Sequence, residues 1–368
     1  MDRVKEWFLV DDLKEEAEAF AEKLRDDGGL AVRVLNPDEA KNKLLRDGCE
    51  PNGVLMDVDL SSIQGELGSG PGIAQDIRVK QKSQEIPEYP VIRFAALKKV
   101  KQNVRGDPTS DDLFDIKVQK ERVARDITSL SEEIKGVRDV YDFLSRIKRG
   151  SIRKREIFGC TDEEFECWGN EAFCRRILGS VNTSVHVAAG YFMRNFLVPS
   201  GLLIDEVMLS VRLGVDYDTS GGSWLELKKN LDFHYQGAGG GFFRRWWAFG
   251  LEEWWFNNIN AEEPLVGLPA TERVKFLERA LGIKNITPLD LPRGSPGVSP
   301  WRLCTLSLEK EPSEIVPIDP AHSVKISPDV DVPDWIDPMY ASFQEALRNR
   351  EDFRLDMSDV ESLSKRYL

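Results

Sequence analysis

Short apolar runs, separated by longer stretches of helical period, set the pattern of the first 120 residues. Trp7-Phe8-Leu9-Val10, Gly53-Val54-Leu55-Met56 and Pro90-Val91-Ile92-Arg93-Phe94-Ala95 read as strands covered on both faces, as a parallel sheet requires. The predicted strands are residues 6–10, 31–35, 53–56, 91–95 and 113–116, with helices predicted over 13–25, 37–47 and 72–81. This alternation predicts an α/β fold over residues 1–120: a doubly wound, five-stranded parallel sheet.

After residue 120 the period changes. Val123, Ile127, Leu130, Ile134, Val137, Tyr141 and Leu144 recur with alternating gaps of four and three, a heptad seam. It predicts a linker helix in the segment 121–155, either a coiled coil that makes a homodimer or a helix packed on its own chain. Arg146, Lys148, Arg149, Arg153, Lys154 and Arg155 follow around Gly150-Ser151, which reads as a solvated basic hinge. Residues 156–281 read as a mainly helical, Trp-rich domain, and 282–368 as a proline-punctuated extended segment with terminal helices.

Composition narrows the function classes. Acidic residues outnumber basic ones 63 to 50, so the net charge of −13 argues against nucleic acid as the main partner. No apolar run is long enough to span a bilayer, and the start Met1-Asp2-Arg3-Val4-Lys5 is not a signal peptide, so a cytoplasmic location with no membrane partner is expected. The odd cysteine count, five, fits free thiols in a reducing compartment.

The residues that close the strands carry the candidate chemistry. Asp11-Asp12 follows the first strand, Asp57 the third and Lys117 the expected fifth. In an open parallel sheet the carboxyl ends converge on one crevice. Three carboxylates there suit a hard cation such as Mg2+, and a lysine beside them suits a phosphoryl group.

This order and spacing resembles the receiver domain of two-component response regulators, over about residues 1–120, with the flavodoxin-like topology of that family. The resemblance implies that Asp11, Asp12 and Asp57 bind Mg2+, with Asp59 lending a backbone carbonyl. It also implies that Asp57 accepts a phosphoryl group from a histidine kinase or phosphotransfer protein, and that Lys117 contacts it. Phe114 falls at the switch aromatic. Ala95 stands where receivers usually carry Ser or Thr and Val118 where proline commonly follows the lysine, which implies a weakened switch. Residues 61–72, with four glycines, read as a mobile flap over the pocket.

Other constellations read as structural. Cys160, Cys167 and Cys174 lie two helical turns apart from one another, too far to share zinc. His186 lies on an apolar stretch and reads as a core histidine. Gly237–Gly241 before Arg244-Arg245 lacks the Lys-Ser/Thr ending of a phosphate loop and reads as a flexible loop. Trp246-Trp247 and Trp254-Trp255 read as buried core or a protein-binding face. The expectation is a response-regulator-like signalling protein acting through a protein partner of its C-terminal domain. The alternatives are a pseudo-receiver docking module that takes no phosphate, and a DNA-binding or catalytic effector in the C-terminal domain.

Overall fold

The computed structural model describes residues 5–45, 49–60, 69–96, 112–169, 171–293, 295–308, 316–327, 332–348 and 354–367. The chain divides into two compact units, one of residues 1–197 and 236–243, the other of 198–235 and 244–368. The first unit therefore runs past the boundaries expected after residues 120 and 155.

In the first unit, β1 (Trp7–Val10), β2 (Val32–Leu35), β3 (Gly53–Met56), β4 (Val91–Ala95) and β5 (Lys117–Gln119) form one sheet. Its order is β2-β1-β3-β4-β5, and every pairing is parallel. All residues of β1, β3 and β4 are buried, because helices cover both faces of the sheet. Helix α1 (Lys14–Asp26) buries Ala17, Ala21 and Leu24; α2 (Pro37–Leu44) starts at an Asn36–Glu39 capping box; α3 (Gly70–Lys82) starts at Ser69, whose hydroxyl accepts from Gly72 N.

The fifth strand departs from expectation. It lies at 117–119 rather than 113–116, while Asp112 and Leu113 form a short 3-10 turn. Leu113 and Phe114 looked like strand because they are apolar, but Phe114 packs into the sheet's core from the approach to β5.

Val123 lies on a separate short helix, Arg122–Arg125, and the rest of the heptad seam lies on α4 (Ile127–Lys148), where Leu130, Ile134, Val137, Tyr141 and Leu144 are all buried. The chain itself covers them: α1, α7 (Val185–Phe192, after α5, Asp162–Trp168, and α6, Glu171–Leu178) and the returning segment Gly240–Phe243 all pack on α4. The seam packs internally, the second of the two readings. Ile134→Glu should consequently unfold the first unit rather than split a dimer, since a carboxylate would enter a site with no exposed surface. Loss of cooperative denaturation, with no clean monomer in light scattering, is the expected result; a folded variant at half the wild-type mass would restore the coiled coil.

The basic cluster is not a hinge between compact units. Lys148 pairs with Glu88 at 3.0 Å, Arg155 with Asp162 at 2.8 Å and Arg153 with Glu156 at 3.2 Å, all within the first unit. Residues 237–239 of the glycine run are likewise packed. A Cβ on Gly159 would fall 2.1 Å from Gly237 N, so only glycine permits this backbone contact, and Gly239 N donates to Asp139 at 2.7 Å. Asp139 thus occupies the donor that a phosphate would need.

The second unit gathers its core around Trp224, Trp246, Trp254 and Trp255. The four tryptophans of the paired motifs are at most 5% exposed, so of the two readings they are core rather than a protein-binding face. Residues 202–213 begin as a strand, β6 (Leu203–Ile204), paired with Trp246–Trp247, before α8 (Glu206–Leu213). Beyond residue 282 the expected extended segment forms short antiparallel pairs, among them Ser323–Ile326 with Met339–Ser342. Among the described residues, no helix is long and apolar enough to cross a membrane.

Candidate functional site

The parallel registry of β1 and β3 brings the acidic residues together. Val10 pairs with Met56, and Asp57 N donates to Val10 O at 3.0 Å, so Asp11 and Asp57 emerge side by side at the carboxyl edge. They stand where the sheet order reverses between β1 and β3, the place at which open α/β sheets bind ligands. One carboxylate oxygen from each of Asp11, Asp12 and Asp57 lies within 4.8 Å of the others.

Lys120 closes the group. Its Nζ donates to Asp11 Oδ2 at 2.6 Å and to Asp57 Oδ2 at 2.7 Å, and all three side chains are nearly inaccessible. This corrects Lys117, which opens β5 with an exposed side chain. The lysine is three residues later because β5 ends three residues later. Ala95 pairs with Gln119, Lys120 N donates to Ala95 O at 3.1 Å, and the next side chain enters the pocket. Val118 and Lys120 share one parity and Lys117 and Gln119 the other, so the burial of Val118, which the fold decides, places Lys120 inside.

Charge governs the site. Burial raises the Asp11 carboxyl and nearby Asp57 adds to this, against bonds from Lys120 and Leu13 N that lower it. For Lys120, burial alone would lower the ammonium, but its bonds to Asp11 and Asp57 outweigh that and raise it. The lysine is therefore a fixed cation. Phe20 of α1 adds a ring face 5.7 Å from its Nζ.

The remaining candidates fall as follows. Asp11 Oδ1 also accepts from Leu13 N at 2.9 Å, so it serves the turn into α1 as well as the pocket. Asp59 is half-buried and donates its N–H to Asp57 Oδ1 at 3.3 Å. Ala95 is fully buried, and Phe114 is a core side chain. Of the expected flap, residues 61–68 lie outside the described residues. Gly70 at its end has another use: a Cβ there would meet Asp57 O at 1.9 Å, so glycine lets α3 begin against the backbone of Asp57. Sequence reasoning missed both Lys120 and this contact.

The donor set fits a divalent cation: three carboxylates, hard oxygen ligands, at one crevice. No family model matches the chain, and no curated protein matches it. Among solved structures it is similar to a yeast Spc42 trimeric coiled coil fused to another structure, at 20% identity and a TM-score of 0.26, over 45% of this chain and 89% of that one. It is also similar to a response regulator protein from Burkholderia pseudomallei with a phosphorylated aspartic acid, calcium ion and citrate. That match has 15% identity and a TM-score of 0.24, over 50% of this chain and 95% of that one. Likenesses this distant carry no argument about function.

Proposed function

We propose that residues 1–120 act as a receiver-like module of flavodoxin-like topology, in which Asp57 accepts a phosphoryl group and Lys120 steadies it. The observation that carries this reading is the Lys120 ammonium set against Asp11 and Asp57 at the carboxyl edge of a parallel sheet. An ordinary surface ion pair needs neither that burial nor a third carboxylate.

In the transfer, an Asp57 carboxylate oxygen forms the new bond to phosphorus while the bond from phosphorus to the donor's leaving atom breaks, the electron pair departing with the donor. The donor is a phosphohistidine of a histidine kinase or phosphotransfer protein, or a small acyl phosphate. Lys120 exchanges its bond to Asp57 Oδ2 for one to a phosphoryl oxygen, a charge-assisted contact. Asp11 and Asp12 are the residues that would hold Mg2+ with Asp57, and the ion supplies neutralisation of the phosphoryl charge. Asp57 is fully buried in this conformation, so the side chains over it must part before a donor can reach it. Ala95 offers no hydroxyl to the phosphoryl group, which leaves acceptance intact and weakens any change of state that follows.

The output is assigned to protein–protein contact, in keeping with the acidic chain. The test is incubation with acetyl phosphate and Mg2+, read by intact mass. One added phosphoryl group, lost in Asp57→Ala and strongly reduced in Lys120→Met, is expected. If no adduct forms at saturating Mg2+, and beryllofluoride fails to bind as well, the module is a docking domain held together by its ion cluster.

A further inference from the structure

A second buried network, outside the acidic pocket, joins side chains from four parts of the first unit. Asp115, on the approach to β5, is its centre. Its Oδ2 accepts from Arg78 Nη2 of α3 at 2.9 Å and from Val91 N at 2.8 Å. Its Oδ1 accepts from the Tyr141 hydroxyl of α4 at 2.8 Å and lies 3.0 Å from His186 Nδ1 of α7. The other ring nitrogen, His186 Nε2, lies 3.0 Å from the carbonyl oxygen of Asp112.

Both nitrogens of His186 therefore face acceptors. A neutral imidazole carries one N–H and can satisfy one of them, leaving a lone pair against an oxygen; an imidazolium satisfies both. We propose that doubly protonated His186 is a pH-sensitive latch that fastens α7 to residues 112–115, the segment that enters β5.

The surrounding charges are consistent with this role. Asp115 lies against the ring, with Arg78 on the far side of the same carboxylate. Burial works against its charge, but Arg78 and His186 hold the carboxyl at about 2, so it stays anionic while an imidazole titrates. Tyr141 stays a neutral hydroxyl, because burial pushes it well above the ordinary tyrosine range. At the start of α7, Glu88 accepts from Val185 N at 2.8 Å and pairs with Lys148; just beyond α7, Arg194 lies 3.3 Å from Asp112 Oδ1.

When the imidazole loses a proton, Nδ1 can offer a lone pair. The Tyr141 hydroxyl, 3.3 Å from it, can then turn away from Asp115. Asp115 would keep Arg78 and Val91 N but lose two donors. The loosened segment feeds β5, whose end carries Lys120, and this holds whether or not Asp57 takes phosphate.

The test uses the full chain with 15N-labelled histidine. There are only three histidines, so His186→Gln assigns the signal directly. At the acid end of a pH series both ring nitrogens of His186 should carry protons, and at the alkaline end only one. Over the same span, amide-exchange protection at 112–116 and across α7 should fall about tenfold in the wild type and stay level in His186→Gln. A single N–H on His186 at the lower pH, or wild-type protection that does not change, overturns the latch. Should His186→Gln fail to fold, His234→Gln and His322→Gln assign the ring by elimination, and the wild-type data still decide.

Discussion

Lys120→Met should cost the first unit about 3–5 kcal/mol at neutral pH, the usual loss when one partner of a buried ion cluster is removed. Methionine keeps most of the length of the lysine stem, so the loss reads charge rather than volume. Asp11 and Asp57 would then face each other without the ammonium that now bonds both. The pH dependence has a definite sign. Folded Asp11 already holds its proton to higher pH than the unfolded residue, through burial and Asp57, and losing Lys120 removes its main counterweight. In the variant the Asp11 contribution is thus fully present below the ordinary aspartate value and is lost as pH rises through the folded value of Asp11. If the three carboxylates hold Mg2+ as proposed, the ion should restore part of the loss, because it would stabilise the folded chain over the unfolded one. Lys117→Met, at an exposed position, should change stability by no more than about 0.5 kcal/mol. Urea unfolding of both variants, with and without Mg2+ and across pH, measures all of this. Equal losses for the two lysines would remove Lys120 from the centre of the site.

Asp115→Asn should be comparably damaging, at about 3–5 kcal/mol, because Arg78 is buried and would lose the carboxylate it pairs with. Arg78 would still donate to Leu113 O, Tyr89 O, Gln81 and Tyr141, but those neutral acceptors do not cancel its charge. The wild-type carboxyl sits at about 2, below the ordinary aspartate value of 3.8. Its contribution is therefore complete above that ordinary value and disappears as pH falls towards about 2. An acid titration of unfolding free energy should show that limb in the wild type and lose it in Asp115→Asn. A variant as stable as the wild type at neutral pH would mean that the network is dispensable.

Much of the fold was legible because strong local patterns agreed with it. Four of the five strands appear where their apolar runs lie, since residues that favour a pleated, buried surface also had helices to cover them. Asp11, Asp12 and Asp57 were legible for the same reason: each follows a strand whose end is fixed by its own sequence. Lys120 was not. Its strand has three residues, with one buried side chain, and is held mostly by pairing to β4. Leu113 and Phe114 are the more apolar run, but their place in the core is won from a turn. The heptad seam shows the same division, since its period fixes which face of α4 is apolar and leaves open what covers it.

By itself, then, the sequence determined the parallel sheet, the acidic edge and the apolar stripe of α4, because each rests on contacts within a few residues or on one repeating period. Tertiary structure alone decided that Lys120 enters the pocket, that α1 and α7 take up the seam, and that Asp115 meets Arg78, Tyr141 and His186. Those partners are 26 to 71 residues from Asp115 along the chain. No local pattern encodes such a meeting; it follows from the requirement that a buried charge find an opposite charge and that every buried N–H find an acceptor.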